Sequence, residues 1–330
     1  MNKTAKNILT GVGIGVVGAA GLRVAHRYVS KYLMKIAVHR DLPKKVERQK
    51  EKMASTVGAS EVTAGVLDAA KALENGDLEV VEIESYDGLH LVGHWYCPEN
   101  PKRVIVAMHG WRSSWSQDFG VIAPFWQGND CAVLYAEQRG QGNSGGEYMG
   151  FGLLERYDCL NWAKWVSEKT ENKLPIYLGG ISMGAATVMM TAGLELPEIV
   201  KGIVADCGFT SPYAIWKHVV ESNFRIPYGI YSAAAKDLCS KKIQAGPADY
   251  SCTDALKNCK VPVLFIHGTD DDFVPVEMTY ENYKACNAPK YLLIVPGAEH
   301  GMSYIVDKAG YEKAVIKFWN QYDNGSDLSE

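Results

Sequence analysis

Residues 176–191 read IYLGGISMGAATVMMT: an apolar run typical of a buried strand, the pattern GISMG at 180–184, and a run typical of a helix. A serine between two glycines at such a junction predicts a sharp turn that lifts the Ser182 hydroxyl out of the sheet. The pattern alone is weak, and a serine there can also act only as a helix N-cap. The flanking strand and helix favour a nucleophile.

Apolar strand-like segments alternate with helical stretches on both sides of this junction. Alternation of this kind predicts an α/β fold, with a mostly parallel eight-stranded sheet and helices on both of its faces. Asp87-Gly88 predicts a hairpin between the first two strands. Residues 211–258 have no strong strand and are expected to form a small helical cap. The predicted strands are 78–85, 89–97, 103–109, 131–137, 176–180, 200–207, 261–268 and 290–297.

A nucleophilic serine needs a base, and two later loops offer the remaining groups. HGTDDDFVP at 267–275 follows an apolar strand and carries three consecutive aspartates at 270–272. His300, in GAEHG, follows the last strand. Loops at the carboxyl ends of parallel strands are where such sheets place their sites. The order serine, aspartate, histidine therefore predicts a nucleophile, an orienting acid and a general base.

The loop after the third strand, MHGW at 108–111, predicts an oxyanion hole. Two backbone N–H groups are needed, one from this loop and one from the residue after the nucleophile. These are the amides of Trp111 and Met183. His109 is interpreted as shaping the loop.

Several apolar side chains are candidates for an acyl pocket, although most aromatic residues of an α/β protein belong to its core. Besides Trp111, the candidate pocket residues are Trp115, Tyr213, Trp216 and Met302.

Together, HGW, EQRGQGNSGG (137–146), GISMG, HGTDDDFVP and AEHGMSY resemble the α/β-hydrolase superfamily over about residues 78–320. The likeness is strongest to bacterial serine-aminopeptidase-like or monoglyceride-lipase-like hydrolases with an N-terminal membrane segment. It implies an α/β-hydrolase fold, Asp271 as the acid beside Ser182 and His300, and acyl transfer without a metal or organic cofactor. Glu137 stands where the family usually has aspartate, in a loop that is structural.

The N-terminal region differs in charge from the rest. Residues 1–52 hold twelve Lys and Arg against three Asp and Glu, whereas the remaining 278 residues hold 22 basic and 35 acidic side chains. A globular domain with a net negative charge is a poor nucleic-acid binder, and no nucleic-acid partner is expected. The eight cysteines form no CxxC pair and no metal-ligand spacing, so reduced cysteines are expected.

Residues 8–22, ILTGVGIGVVGAAGL, are uncharged and predict a membrane anchor rather than a cleaved signal. Residues 29–37 are amphipathic with a basic face, which fits either a membrane surface or packing on the globular domain. Membrane contact is thus expected through residues 8–37. The basic residues after the anchor favour a cytoplasmic catalytic domain, whereas a conventional signal-anchor would place it outside.

The predicted organisation is an anchor and basic helix at 1–39, a charged linker at 40–59, the catalytic domain at 60–322 and a polar tail at 323–330. We expect a membrane-associated serine hydrolase that acts on a small-molecule ester or other acyl substrate. A peptidase or amidase of the serine aminopeptidase type shares the same chemistry and is the alternative enzyme. A non-catalytic, membrane-tethered binding protein is the alternative from another class.

Overall fold

A computed structural model describes residues 28, 31–32, 35–42, 44, 61–225 and 227–323. The predicted anchor at 8–22, most of the predicted linker and nearly all of the polar tail lie outside these residues. Within the described part of the chain, no helix combines the length and the apolar character needed to cross a bilayer.

The sheet has eight strands in the order β1-β2-β4-β3-β5-β6-β7-β8. Only β2 runs against the others, because it pairs antiparallel with both β1 and β4, and all remaining pairs are parallel. The predicted mostly parallel sheet and hairpin are confirmed. The strands are β1 Glu79–Glu84, β2 His90–Tyr96, β3 Arg103–Met108, β4 Cys131–Ala136, β5 Ile176–Ile181, β6 Val200–Asp206, β7 Val263–Gly268 and β8 Lys290–Val295.

Helices connect the strands and cover the sheet on both sides. Their bounds are α1 Glu61–Glu74, α2 Trp115–Phe119, α3 Ala123–Gly128, α4 Glu155–Lys169, α5 Met183–Thr191, α6 Pro212–Phe224, α7 Gly229–Lys242, α8 Cys252–Lys257, α9 Val276–Ala285, α10 Ser303–Val306 and α11 Lys308–Tyr322.

The alternating side chains of β3 show how the core divides. Val104 and Val106 belong to one hydrophobic cluster, which includes Trp162 of α4, whereas Ile105 belongs to a second cluster with Trp319 of α11. Successive side chains of a strand point to opposite faces, so the continuous apolar run of β3 is explained by burial on both sides. All eight cysteines are free thiols, and only Cys97 is exposed.

Residues 211–258 contain α6, α7 and α8, which agrees with the predicted helical cap. Ser211 caps α6 by accepting a hydrogen bond from Ala214 N–H, and Ser251 caps α8 in the same way through Asp254 N–H. The cap touches the loop after β7, where His218 Nε2 lies 3.1 Å from the carbonyl oxygen of Asp272.

Residues 35–41, which we call the N-terminal strap, lie on the catalytic domain. Residues 35–38 are helical, His39 forms an isolated antiparallel bridge with Tyr148, and Val38 is buried in the core. The structure therefore favours packing on the globular domain for the end of the 29–37 segment. The predicted boundary between residues 39 and 40 falls inside the strap.

Candidate active site

Ser182 stands at the turn between β5 and α5. Its backbone is held at φ 57° and ψ −115°, a conformation that L residues rarely adopt. The neighbouring glycines are required by contact: a β-carbon on Gly180 would lie 2.3 Å from the carbonyl carbon of Gly184, and one on Gly184 would lie 1.8 Å from Met108 O. The Ser182 side chain makes no N-cap hydrogen bond to α5, so the alternative role as a cap is not observed.

The hydroxyl of Ser182 faces His300, which is carried by the loop after β8. His300 Nε2 lies 2.9 Å from Ser182 Oγ, and Nδ1 lies 2.7 Å from Asp271 Oδ2. The hydroxyl donates to Nε2 while Nδ1–H donates to the carboxylate. This geometry lets the imidazole take the serine proton while the carboxylate fixes its tautomer.

Asp271 is buried, whereas Asp270 and Asp272 on either side are exposed. Its Oδ1 accepts hydrogen bonds from the N–H groups of Phe273 and Val274, at 3.0 and 2.8 Å. Burial by itself would raise the pKa of Asp271, but hydrogen bonds from His267 and His300 hold that pKa well below its usual range. The carboxylate is therefore ionised at neutral pH.

His267 is a buried neighbour of Asp271, and the sequence pattern predicted no role for it. Its Nε2 lies 2.8 Å from Val274 O and 3.1 Å from Asp271 Oδ2, so Nε2 carries the proton and donates to both. Its Nδ1 lies 2.6 Å from the hydroxyl of Thr279 on α9. His267 thus ties the end of β7 to the loop that bears Asp271.

The predicted oxyanion loop is fixed by His109, which is buried. His109 Nδ1 lies 2.8 Å from Gly110 O, and Nε2 accepts a hydrogen bond from Gln138 N–H at 3.1 Å. Because C=O and N–H point in opposite directions across a trans peptide, this contact turns Trp111 N–H away from the His109 ring. Burial lowers the pKa of His109, which keeps the ring neutral for this role.

The two predicted oxyanion donors flank the nucleophile. A β-carbon on Gly110 would lie 3.4 Å from Ser182 Cβ, so the loop that carries Trp111 passes close to the serine. Met183 N–H is the first amide of α5. Among the described residues, neither Trp111 N–H nor Met183 N–H has a hydrogen-bond acceptor. Both donors are available to a developing oxyanion.

A cavity of about 270 Å³ opens at Ser182 and His300. It includes the predicted residues Trp111 and Met302 and extends towards α1, which contributes Val66. Most of the other lining side chains are apolar or aromatic, and Asp118 is the acid beside the oxyanion loop. Further lining residues are Val121, Ile122, Ile181, Phe273, Tyr304, Ile305 and Tyr311.

The structure places the other three predicted pocket residues outside this cavity, which corrects that part of the prediction. Trp115 is buried, stacks on His94 with ring centroids 4.0 Å apart and packs against Tyr135. Trp216 packs edge-on against Phe151 in the core, and Tyr213 packs against Tyr228 within the cap. No residue of the cap lines the cavity among the residues that the structure describes.

Asp206, at the end of β6, is a buried acid that the sequence analysis missed. It lines the cavity, its carboxyl accepts from Ser303 Oγ at 3.2 Å, and its backbone carbonyl accepts from Ser182 N–H at 2.9 Å. Burial raises the pKa of Asp206 to about 6, although His267 and Ser303 oppose the shift. Its place near the carboxyl end of a predicted strand was the available signal, but Asp206 lies within the predicted strand 200–207 and not in a loop.

Cys207 follows Asp206 and lies beside the same group. Its Sγ and ligand atoms of Asp271 and His300 lie within 4.8 Å of one another, the one such group among the described residues. Burial raises the pKa of the Cys207 thiol well above its usual range. A protonated thiol is a poor metal ligand, so the group fits a hydrogen-bonded acid and base better than a metal site.

This fold and this site define an α/β hydrolase with the arrangement of a serine hydrolase. Residues 117–326 match the model of the prolyl oligopeptidase family, well over half of the chain, and the protein belongs to that family.

The chain is similar to a bacterial relative in sequence and to solved structures in fold. The chain is 27% identical over 271 residues to the uncharacterised protein YqkD of Bacillus subtilis, covering 80% of this chain and 85% of the relative. The esterase Pf2001 of Pyrococcus furiosus has a similar fold, with a TM-score of 0.59 at 23% identity over 77% of this chain and 95% of its own. An acylaminoacyl peptidase of Pyrococcus horikoshii matches with a TM-score of 0.55 at 18% identity over 79% of this chain and 44% of its own.

Proposed function

We propose that this protein hydrolyses carboxylic esters of small, uncharged acyl groups, with Ser182 as nucleophile, His300 as general base and Asp271 as orienting acid. The observation that carries the proposal is the hydrogen-bonded series from Ser182 Oγ through His300 to Asp271, with separations of 2.9 and 2.7 Å, at the mouth of the cavity.

The proposed reaction has two acyl-transfer steps. Ser182 Oγ attacks the ester carbonyl while His300 Nε2 takes the hydroxyl proton, and Asp271 stabilises the imidazolium. Trp111 N–H and Met183 N–H bind the oxyanion of the tetrahedral intermediate. The carbonyl–oxygen bond to the alcohol breaks, and the alcohol leaves with the proton from His300. Water then attacks the acyl-enzyme by the same route and releases the acid.

The cavity supports a short acyl group. Its volume of about 270 Å³ lies just below the range of about 300–1,000 Å³ typical of drug-sized ligand pockets. Asp118 and Asp206 are among its lining residues, and neither lysine nor arginine is among them. An anionic acyl group would meet like charge without a cationic partner, so neutral groups are favoured.

A fluorophosphonate probe and a series of p-nitrophenyl esters test this function. We expect one covalent adduct per chain, located on Ser182 by peptide mapping. kcat/KM should be highest for short acyl chains and fall by about 5- to 150-fold for a twelve-carbon chain, because overpacking a filled pocket costs about 1–3 kcal/mol. A monosuccinyl ester should be a poorer substrate than the butyryl ester of similar size.

Folded protein that forms no adduct and turns over no ester would contradict the proposal and favour the binding-protein alternative. An adduct on Ser113, the other serine that lines the cavity, would contradict the choice of nucleophile.

A peptidase or amidase is the second candidate, favoured by membership of the prolyl oligopeptidase family. An amide demands more assistance to its leaving amine, whereas the attack on the carbonyl is the same. Matched ester and anilide substrates with one acyl group separate the two activities. A kcat/KM for the anilide equal to or above that for the ester would replace the proposed esterase function with the amidase.

We also propose that residues 8–22 tether the hydrolase to a membrane, with the catalytic domain on the cytoplasmic face. The support is the uncharged run and the five Lys and Arg between residues 23 and 40. After carbonate washing, we expect full-length protein in the membrane pellet, and external protease should leave the catalytic domain intact in right-side-out vesicles. Release of uncleaved protein into the supernatant would contradict the tether.

A further inference from the structure

The N-terminal strap is joined to the catalytic domain mainly through its backbone. Met149 N–H donates to Val38 O, and Arg40 N–H donates to Glu147 O, both at 2.7 Å. The Val38 side chain is 4% exposed and packs in the main core. These contacts fasten the strap beside the loop that follows β4.

Arg112, next to the proposed oxyanion donor, binds the strap with its whole guanidinium group. Nη2 donates to Ile36 O at 2.8 Å and to His39 O at 2.5 Å, Nε donates to Ile36 O at 3.2 Å, and Nη1 donates to Arg40 O at 3.0 Å. Its backbone N–H donates to Gln141 Oε1 at 2.6 Å, and its φ of 53° is left-handed. Arg112 is thus fixed on both its main chain and its side chain.

Trp111 is held by the same strap from its indole side. Its Nε1–H donates to Ala37 O at 2.8 Å. Its ring lies nearly parallel to Phe273, with centroids 6.4 Å apart, and Phe273 in turn packs edge-on against His300 at 5.0 Å. The strap therefore contacts Trp111, the residue that offers the proposed oxyanion donor. Trp111 packs on Phe273, which in turn contacts the proposed base, His300.

We propose that the N-terminal strap and Arg112 are positioning elements of the active site, which hold the loop Gly110–Arg112 so that Trp111 N–H points at the oxyanion. This inference rests on the proposed function. An oxyanion donor acts only within about 2.7–3.1 Å of the oxygen, and a displacement of about 1 Å costs roughly 100-fold in rate. The backbone of this loop is also held by His109, by Asp118 Oδ2, which accepts from Gly110 N–H at 2.6 Å, and by Gln141. The strap adds the contacts that hold the side chains of Trp111 and Arg112.

In the full-length protein, Arg112→Ala is expected to lower kcat about 10- to 100-fold and to leave KM within about twofold, because the lost support matters in the transition state. The inhibition constant of a trifluoromethyl ketone that mimics the tetrahedral intermediate should rise by the same factor as kcat/KM falls. Arg112→Lys should recover part of the loss, since an ammonium can still donate to these carbonyls. Arg225→Ala, the same change at an exposed position, is the matched control and should alter neither constant.

Trp111→Phe is a milder second variant, because it removes the hydrogen bond to Ala37 O and keeps the backbone N–H and an aromatic ring. We expect it to lower kcat in the same direction. Val38→Asp should detach the strap from the domain. The double variant Val38→Asp/Arg112→Ala should lose no more activity than the more damaging single variant, because both changes disrupt the same contact between the strap and the loop Gly110–Arg112.

Three outcomes would overturn the strap proposal: a lowered unfolding temperature with unchanged kcat in Arg112→Ala, a rise in KM alone, or additive losses in the double variant. Each of these outcomes is meaningful only if the wild-type protein hydrolyses esters and is labelled at Ser182. If the wild-type protein shows neither ester hydrolysis nor labelling, the proposed function is overturned, so failure of the strap proposal and failure of the proposed function are distinguishable.

Discussion

Ser182→Ala is expected to lower kcat for ester hydrolysis by about a millionfold, the loss typical when a serine nucleophile is removed. The remaining residues can bind the ester and polarise its carbonyl, but no group at that position can form the acyl-enzyme. Turnover of p-nitrophenyl butyrate and labelling by the fluorophosphonate probe measure the loss.

Two companion variants separate chemistry from folding. Ser113→Ala, in the same cavity, should retain activity. Ser182→Gly should be as inactive as Ser182→Ala yet more stable to unfolding by about 1 kcal/mol, because glycine adopts the positive φ of this turn without strain. Wild-type turnover by Ser182→Ala would show that the nucleophile lies elsewhere.

Asp271→Asn should lower kcat by about 10⁴-fold with little change in KM. An asparagine side chain can donate a hydrogen bond to Nδ1 and so favour the wrong tautomer of His300, and it cannot stabilise the imidazolium. Full kinetic constants with the preferred ester measure the effect.

The flanking aspartates supply matched controls, because Asp270 and Asp272 carry the same charge and are exposed. Asp270→Asn and Asp272→Asn should each retain most of the wild-type kcat. Similar losses in all three variants would mean that the total negative charge of the loop matters rather than the contact between Asp271 and His300. A large loss in Asp206→Asn with none in Asp271→Asn would move the orienting role to the other buried acid.

The sheet was predictable because a strand buried on both faces is a nearly continuous apolar run, as residues 104–108 of β3 and 131–136 of β4 are. The candidate residues Ser182, Asp271 and His300 follow strand ends that a parallel sheet brings together, and the structure places them in contact. The sequence pattern could thus indicate which loops meet at the site.

The lining of the cavity was harder to predict, because composition does not say in which direction a side chain points. Trp115 has the size and polarity of a pocket residue, but a stack with His94 holds it in the core. Nothing about Val66 in the sequence indicates a pocket residue, and it borders the cavity only because α1 packs beside the cavity.

The amphipathic pattern of residues 29–37 allowed packing on the domain, but the contacts that the N-terminal strap makes left no sequence signal. Arg112 and Trp111 bind its carbonyl oxygens, and every residue has a carbonyl oxygen. Arg40 and Asp41 are charged and therefore resembled the start of a linker, although the backbone of Arg40 is bonded to the domain.

The cavity borders α1 and the loop around α2, whereas no described residue of the cap lines it and the cap contacts the neighbouring loop through His218 and Asp272. In evolutionary terms, we expect substitutions near Val66 or Val121 to change which acyl groups are accepted more directly than substitutions in residues 211–258. We therefore expect substrate range among related hydrolases to follow the residues at these cavity positions more closely than the form of the cap.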